Sequence, residues 1–199
     1  MPLGLVVASA KSYTETAKGR FQGDLIQIAL YFCLGSCEYT KKFHKRTTQF
    51  RFRDLQFHDA SGILHFYASA LCIRQATEVT LYLDIQKNSI RGESITMEEA
   101  GITFGCTVGA AAERLLHLRL HYVELDTPIC NYFSSGGSEV SSVTSLHVVA
   151  SLFLWMGHIC FKRLGFRPTE ISSHSLHLGG AVKLHQAVIS DSTIKVIGR

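Results

Sequence analysis

In TTQFRFRDLQFHD, Thr47 to Asp59, the apolar residues Phe50, Phe52, Leu55 and Phe57 alternate with polar ones in the period-two pattern of a half-buried strand. One slip of register separates Phe52 from Leu55, which reads as a β-bulge. Two further short runs, GILHFYASA (62–70) and EVTLYLDIQKN (78–88), are rich in aliphatic and aromatic residues and are set apart by polar, turn-forming segments. Together the three predict a small three-stranded antiparallel meander.

Outside this region the period changes. Upstream, GDLIQIALYFCLGSCEY (23–39) carries apolar residues at Leu25, Ile26, Ile28, Ala29, Leu30, Phe32 and Cys33, dense enough for a helix buried on most sides. Asp24, after Gly23, is its expected cap. Downstream, VGAAAERLLHLRLHYVE (108–124) has Ala111, Leu115, Leu118 and Tyr122 on one helical face, and a second helix is expected from Val143, ended by Gly165. A loop then leads into a third helix over the Gly179–Gly180 pair. A fourth opens after Ser190 as cap, with Asp191 in its first turn. The expected fold is α+β and mostly helical, one domain over 21–199 preceded by a loosely ordered segment over 1–20.

Composition supports a folded chain: 46% of the 199 residues are hydrophobic and only 18% charged, enough apolar surface for a core. The six cysteines, Cys33, Cys37, Cys72, Cys106, Cys130 and Cys160, are scattered, form no C-x-x-C pair and follow no recognisable signal peptide, which predicts reduced thiols in an intracellular protein. The longest greasy run, Val148–Phe161, is interrupted by Ser151, Gly157 and His158 and falls short of the roughly 20 residues a membrane span needs. A net charge of +4 permits a polyanionic partner without requiring one.

The placement of that charge is more informative. Lys41, Lys42, Lys45, Arg46, Arg51 and Arg53 fall within KKFHKRTTQFRFR, which contains no acidic residue. A phosphate backbone favours such a cluster, because each neutralised phosphate releases counterions; a solvated turn is the plainer alternative. His117 and His121, four apart on a predicted helix, have metal-ligand spacing, and His174 and His177 offer a second pair. No carboxylate stands at a zincin position beside either. There is no G-x-S-x-G, no glycine-rich loop ending in G-K-[ST], and no cysteine in a recognisable protease context. The residues call for no cofactor.

Six stretches, DLIQIALYFCLGSCEYTKK, TTQFRFRDLQF, LDIQKN, DTPICNYF, HSLHLGGAVKL and SDSTIKVIGR, in that order, resemble the catalytic domain of tyrosine recombinases, and more narrowly the integrase-like proteins of eukaryotic mobile elements. The resemblance runs from about Phe21 to Arg199. It implies a domain whose relatives attack a DNA phosphodiester with a tyrosine while two arginines, a lysine and histidines stabilise the transition state.

Carried onto this chain, the resemblance puts Gly35 where the first arginine belongs, keeps Glu38, and supplies Lys87 as the turn lysine. His174 is the histidine of the H-x-x-R box, and His177 stands at its second arginine. The family's tryptophan and nucleophilic tyrosine would follow Arg199, so both are expected to be missing, along with the N-terminal clamp domain. The expected function is weak, backbone-dominated binding of duplex DNA through Lys41, Lys42, Lys45 and Arg46, without strand cleavage, and in the nucleus of a eukaryotic host. Two rivals stand beside it: a metal-dependent hydrolase built on His117, His121, His174 and His177, and a non-catalytic interaction domain that self-associates.

Overall fold

The first helix, α1 (Ala17–Tyr31), has no solvent-facing side over its second half. Leu25, Ile26, Ile28, Ala29 and Leu30 are each at most 1% exposed, as is Phe32 just beyond them. Five such residues in six positions go right round a 3.6-residue turn, so the helix needs neighbours on every side. It packs on the later helices α4 (Thr107–Arg119), α5 (Ser145–Ile159) and α6 (His174–Gln186). The computed structural model describes residues 17–41, 48–83, 92–101, 105–121, 124–133, 139–159, 167 and 171–198.

Polar groups on so enclosed a helix must be matched. Gln22 Oε1 accepts from the Ser151 hydroxyl at 2.9 Å, and Gln27 Oε1 accepts from the Gly105 amide at 3.0 Å. Asp24 is mid-helix and not the expected cap, because the helix extends upstream to Ala17 and buries Phe21 and Gln22. Across from it, Arg114 of α4 is completely buried. It donates through Nη2 to the carbonyls of Ile129 (2.9 Å) and Asn131 and lies over the Phe21 ring, 4.7 Å from its centroid. Its Nε and Nη1 have no hydrogen-bond partner among the described residues.

The sheet has four strands where three were expected: β1 (Leu55–Asp59), β2 (Gly62–Leu64), β3 (Glu78–Leu83) and β4 (Glu93–Glu98), antiparallel, in the order β2-β1-β3-β4. It is therefore not a simple meander, since β1 lies between β2 and β3. Leu55, Phe57, Val79, Leu81 and Ile95 form the buried face against α4. The other face carries Thr80, hydrogen-bonded to Thr96 (2.8 Å), and Tyr82, donating to Gln56 (2.6 Å). The slip between Phe52 and Leu55 is a single 3-10 turn, Phe52–Asp54, and not a bulge. Asp54 accepts from the Arg51 amide at 2.8 Å and so caps the turn while Phe52 stays buried.

Two expectations in this half need correction. The end of GILHFYASA starts a short helix, α3 (Ala70–Arg74), capped by the Ser69 hydroxyl on the Cys72 amide at 3.1 Å. The fourth strand has only Ile95 and Met97 as apolar residues between glutamates, and it is held by pairing Val79 with Met97 and Leu81 with Ile95.

In the helical half, β5 (Asn131–Phe133) and β6 (Val140–Ser142) form an unexpected hairpin between α4 and α5. The last helix, α7 (Asp191–Gly198), opens as expected, with the Ser190 hydroxyl accepting from the Thr193 amide at 3.2 Å. Tyr122 and Gly165 lie outside the described residues. No described helix is long and apolar enough to cross a membrane.

Burial pushes the Asp24 carboxyl up to about 7 against the opposing pull of Arg114, although a little of its surface reaches solvent. A raised carboxyl pKa means that the folded state holds its proton where the unfolded chain, near 3.8, has released it. The contribution of Asp24 to stability is thus fully present below the unfolded value and is lost as pH rises through about 7. Denaturant titrations across that window should find stability falling with pH in the wild type and a flatter profile in Asp24→Asn. The slope is the readout, because above about pH 7 the substitution also removes the carboxylate charge that faces Arg114.

Candidate functional site

The site forms where α1 stops. The Leu34 amide donates back to the Ala29 carbonyl at 2.9 Å and the Cys33 amide to Leu30 at 3.3 Å, with Cys33 at φ 51°. This is a Schellman ending with cysteine in the left-handed position that glycine usually takes, at a cost on the order of 1 kcal/mol. The turn leaves the Cys33 carbonyl available to another element.

That element is α6. His177 Nδ1 lies 2.5 Å from the Cys33 carbonyl oxygen, 144 residues away in sequence. A carbonyl only accepts, so Nδ1 carries the proton and Nε2 is left as the other ring nitrogen. One turn further on, Gly180 lies against the end of α1: a Cβ there would stand 2.1 Å from the Leu30 carbonyl oxygen and 2.7 Å from Cys33 Sγ. Gly180, the second of the glycine pair that follows the histidines, is therefore a close-packing device, and it is what lets His177 reach Cys33.

A short helix, α2 (Ser36–Tyr39), completes the site. Glu38 Oε2 accepts from the Gly35 amide at 2.5 Å. Tyr39 is fully buried and donates from its hydroxyl to the Ser173 carbonyl at 3.2 Å, just before α6 begins. Burial pushes its phenol well above the usual range, so it acts as a strut and offers no nucleophile. His174 is exposed and stacks on His177, ring centroids 5.1 Å apart and planes 15° from parallel. Burial, opposed by the Cys33 bond and aided by the charge of His174, holds the His177 imidazole below its ordinary value.

Gly35 itself is under no backbone compulsion. It is extended, at φ −69° and ψ 150°, and an added Cβ would meet only the Glu38 carboxyl, 3.4 Å away. A side chain would fit at 35, whereas none fits at 180.

The other sequence candidates separate. Lys41 is exposed just beyond Tyr39 and is fixed by its amide to the Val143 carbonyl at 2.8 Å. Lys42, Lys45 and Arg46 lie outside the described residues. The chain on either side of them is drawn together, with the Phe50 amide on the Glu38 carbonyl (2.8 Å) and Gln49 Nε2 on the Thr40 carbonyl (2.6 Å). Arg51 and Arg53 are not part of a purely basic patch, because the fold brings Asp126 to them at 3.1 and 2.6 Å. Lys87 lies outside the described residues, in the segment joining β3 to β4.

His117 and His121 belong to the packing of α4 on α1 and β5. His117 Nε2 accepts from the Phe133 amide at 3.1 Å, its ring is 3.9 Å from Phe21, and burial and Arg114 hold it neutral by pushing its pKa down to about 4. His121 stacks on Phe133 at 4.1 Å. One histidine pair thus adjoins Phe21 and the other Cys33, about 18 Å apart along a helix rising 1.5 Å per residue. The four cannot ligate a single ion, and no group of three metal-ligating side chains occurs among the described residues.

No family model matches the chain, and no curated protein or solved structure is similar to it. The functional reading therefore rests on the sequence resemblance taken together with this geometry. Sequence reasoning missed Tyr39, Cys33 and Ser173 as supports, since their roles come from backbone carbonyls that no motif records. Arg114 did leave a signal: it falls between Ala111 and Leu115 and so shares their buried face.

Gly180→Ala should loosen the packing of α1 on α6. Because the clash is with backbone, an overpacking cost of about 1–3 kcal/mol is expected, read as a lowered denaturation midpoint. Gly35→Ala, with room for its methyl, should be close to neutral in the same assay.

Proposed function

We propose that this chain is a DNA-binding domain descended from the tyrosine recombinase of a mobile element, one that holds a phosphate backbone and does not cut it. The observation that carries the reading is the meeting of two distant stretches, Cys33–Tyr39 and Ser173–His177, through the His177–Cys33 and Tyr39–Ser173 bonds. Positions 35 and 177 are those the resemblance gives to the two arginines of one phosphate clamp. A clamp works only if both reach the same phosphate, so the reading requires these stretches to be neighbours. The order of elements agrees with it: a helix, a small antiparallel sheet with Lys87 between its last two strands, then helices.

The residues present argue against cleavage. An arginine that stabilises phosphoryl-transfer charge is worth roughly 10³–10⁵ in rate. Gly35 supplies no side chain, and a neutral imidazole lacks both the fixed charge and the planar fork of a guanidinium. What remains is attraction to the backbone. Lys41 emerges at the edge of the site, and Lys42, Lys45 and Arg46 follow it directly in the chain. Duplex DNA is the partner this arrangement suits, and the nucleus of a eukaryotic host is where it would be met.

Fluorescence anisotropy with labelled duplex across a salt series tests the proposal. Affinity should fall steeply with salt, and a variant with Lys41, Lys45 and Arg46 changed to alanine should show a slope shallower by about 0.9 for each phosphate that the variant no longer neutralises. Supercoiled DNA should stay intact in both. Well-folded protein that leaves duplex unbound at low salt would overturn the reading. Self-association without DNA affinity would instead favour an interaction domain using the exposed Leu178 and Val182 of α6.

A further inference from the structure

The stacked histidines have an arrangement that mere packing does not need. His177 is oriented by its Nδ1–H on the Cys33 carbonyl, so its only titrating atom is Nε2. His174 lies parallel to it on the exposed side, at the first turn of a 13-residue helix. At neutral pH Nε2 holds a lone pair, which repels a phosphate oxygen. Once protonated, it becomes a charged donor aimed by a bond already made.

We propose that His177 and His174 form a proton-dependent clamp for a DNA phosphodiester, weak at neutral pH and closing as an imidazolium forms. This rests on the DNA-binding reading above and adds its regulation. Three effects oppose the cation in the free protein: partial burial of His177, the like charge of its stacked neighbour, and the positive end of the α6 dipole. An arriving phosphate reverses their balance, because it supplies the missing counter-charge and is itself favoured at a helix N-terminus.

The other titratable groups round the site include the exposed Lys41 just beyond α2. From the end of α1 there is Cys33, packed on Gly180. From α2 there are Cys37, Glu38 on the Gly35 amide and Tyr39 on Ser173. Further along α6 are Lys183 and His185, the latter paired with Asp191 of α7 at 3.2 Å.

The sign follows from linkage. Free His177 lies below the ordinary histidine value and the anion raises it, so binding at a pH between the two values takes up as much as one proton. Affinity should be flat above the pKa of the complex and rise as pH falls through it towards that of the free protein. A one-unit difference between the two amounts to about tenfold in affinity.

The test is duplex binding by the full chain at fixed ionic strength, compared between about pH 7.5 and about pH 5.5, on either side of the histidine range. Wild-type affinity should rise about tenfold, and calorimetry in two buffers of different ionisation enthalpy should detect proton uptake. His177→Asn keeps a donor for the Cys33 carbonyl but cannot titrate, and should lose the rise. His177→Arg carries a fixed charge and should bind at the higher pH as the wild type does at the lower. His185→Asn, altering an exposed histidine away from the pair, should keep the full rise. Equal wild-type affinity at both pH values, an undiminished rise in His177→Asn, or binding without proton uptake would each overturn this inference and leave the DNA reading standing. Absence of duplex binding at both would overturn the two together.

Discussion

A helix without a solvent side is the constraint on which the rest of the structure depends. Once Leu25 to Leu30 face protein all round, every polar atom along α1 has to find its counterpart within the fold. Gln22 ties it to α5, Gln27 to the start of α4, and Asp24 to the field of the buried Arg114. These contacts do more than satisfy donors and acceptors. They fix how far α1 can slide or rotate against each neighbour, which a purely apolar surface leaves loosely determined.

The same enclosure shapes the candidate site. A helix ending inside a protein cannot leave its last carbonyls to water, so the chain turns sharply through Cys33 and satisfies them locally. That turn presents one carbonyl to α6, and a glycine at 180 lets α6 come near enough to use it. The histidine pair is therefore positioned by backbone. Its geometry does not depend on a side chain at 35.

The sequence made some of this legible. The change from period two to period 3.6 separated the sheet from the helices, and Ser190 marked the start of α7. Strand β4 escaped notice because two apolar residues among glutamates make a weak pattern, and its partner β3 is what holds it. The cap assigned to Asp24 failed because local propensity could not register that Phe21 and Gln22 are buried upstream. In the site, His174, His177 and Gly35 were named from a motif, whereas Tyr39 donates to a backbone carbonyl, and Cys33 offers its own carbonyl, to partners more than 130 residues away. The purely basic reading of Arg51 and Arg53 missed Asp126 for the same reason.

The position of α1 in the chain has a consequence for how the protein is made. The helix that the later helices enclose leaves the ribosome before them, while the residues that cover its end, such as His177, come 144 residues after Cys33. At roughly 5–20 residues per second, that is an interval on the order of ten seconds. Throughout it, a strongly apolar segment has no native cover, and it closes only through contacts of long sequence separation, which form slowly. Molecular chaperones that hold such segments during synthesis would therefore bear on the yield of this protein.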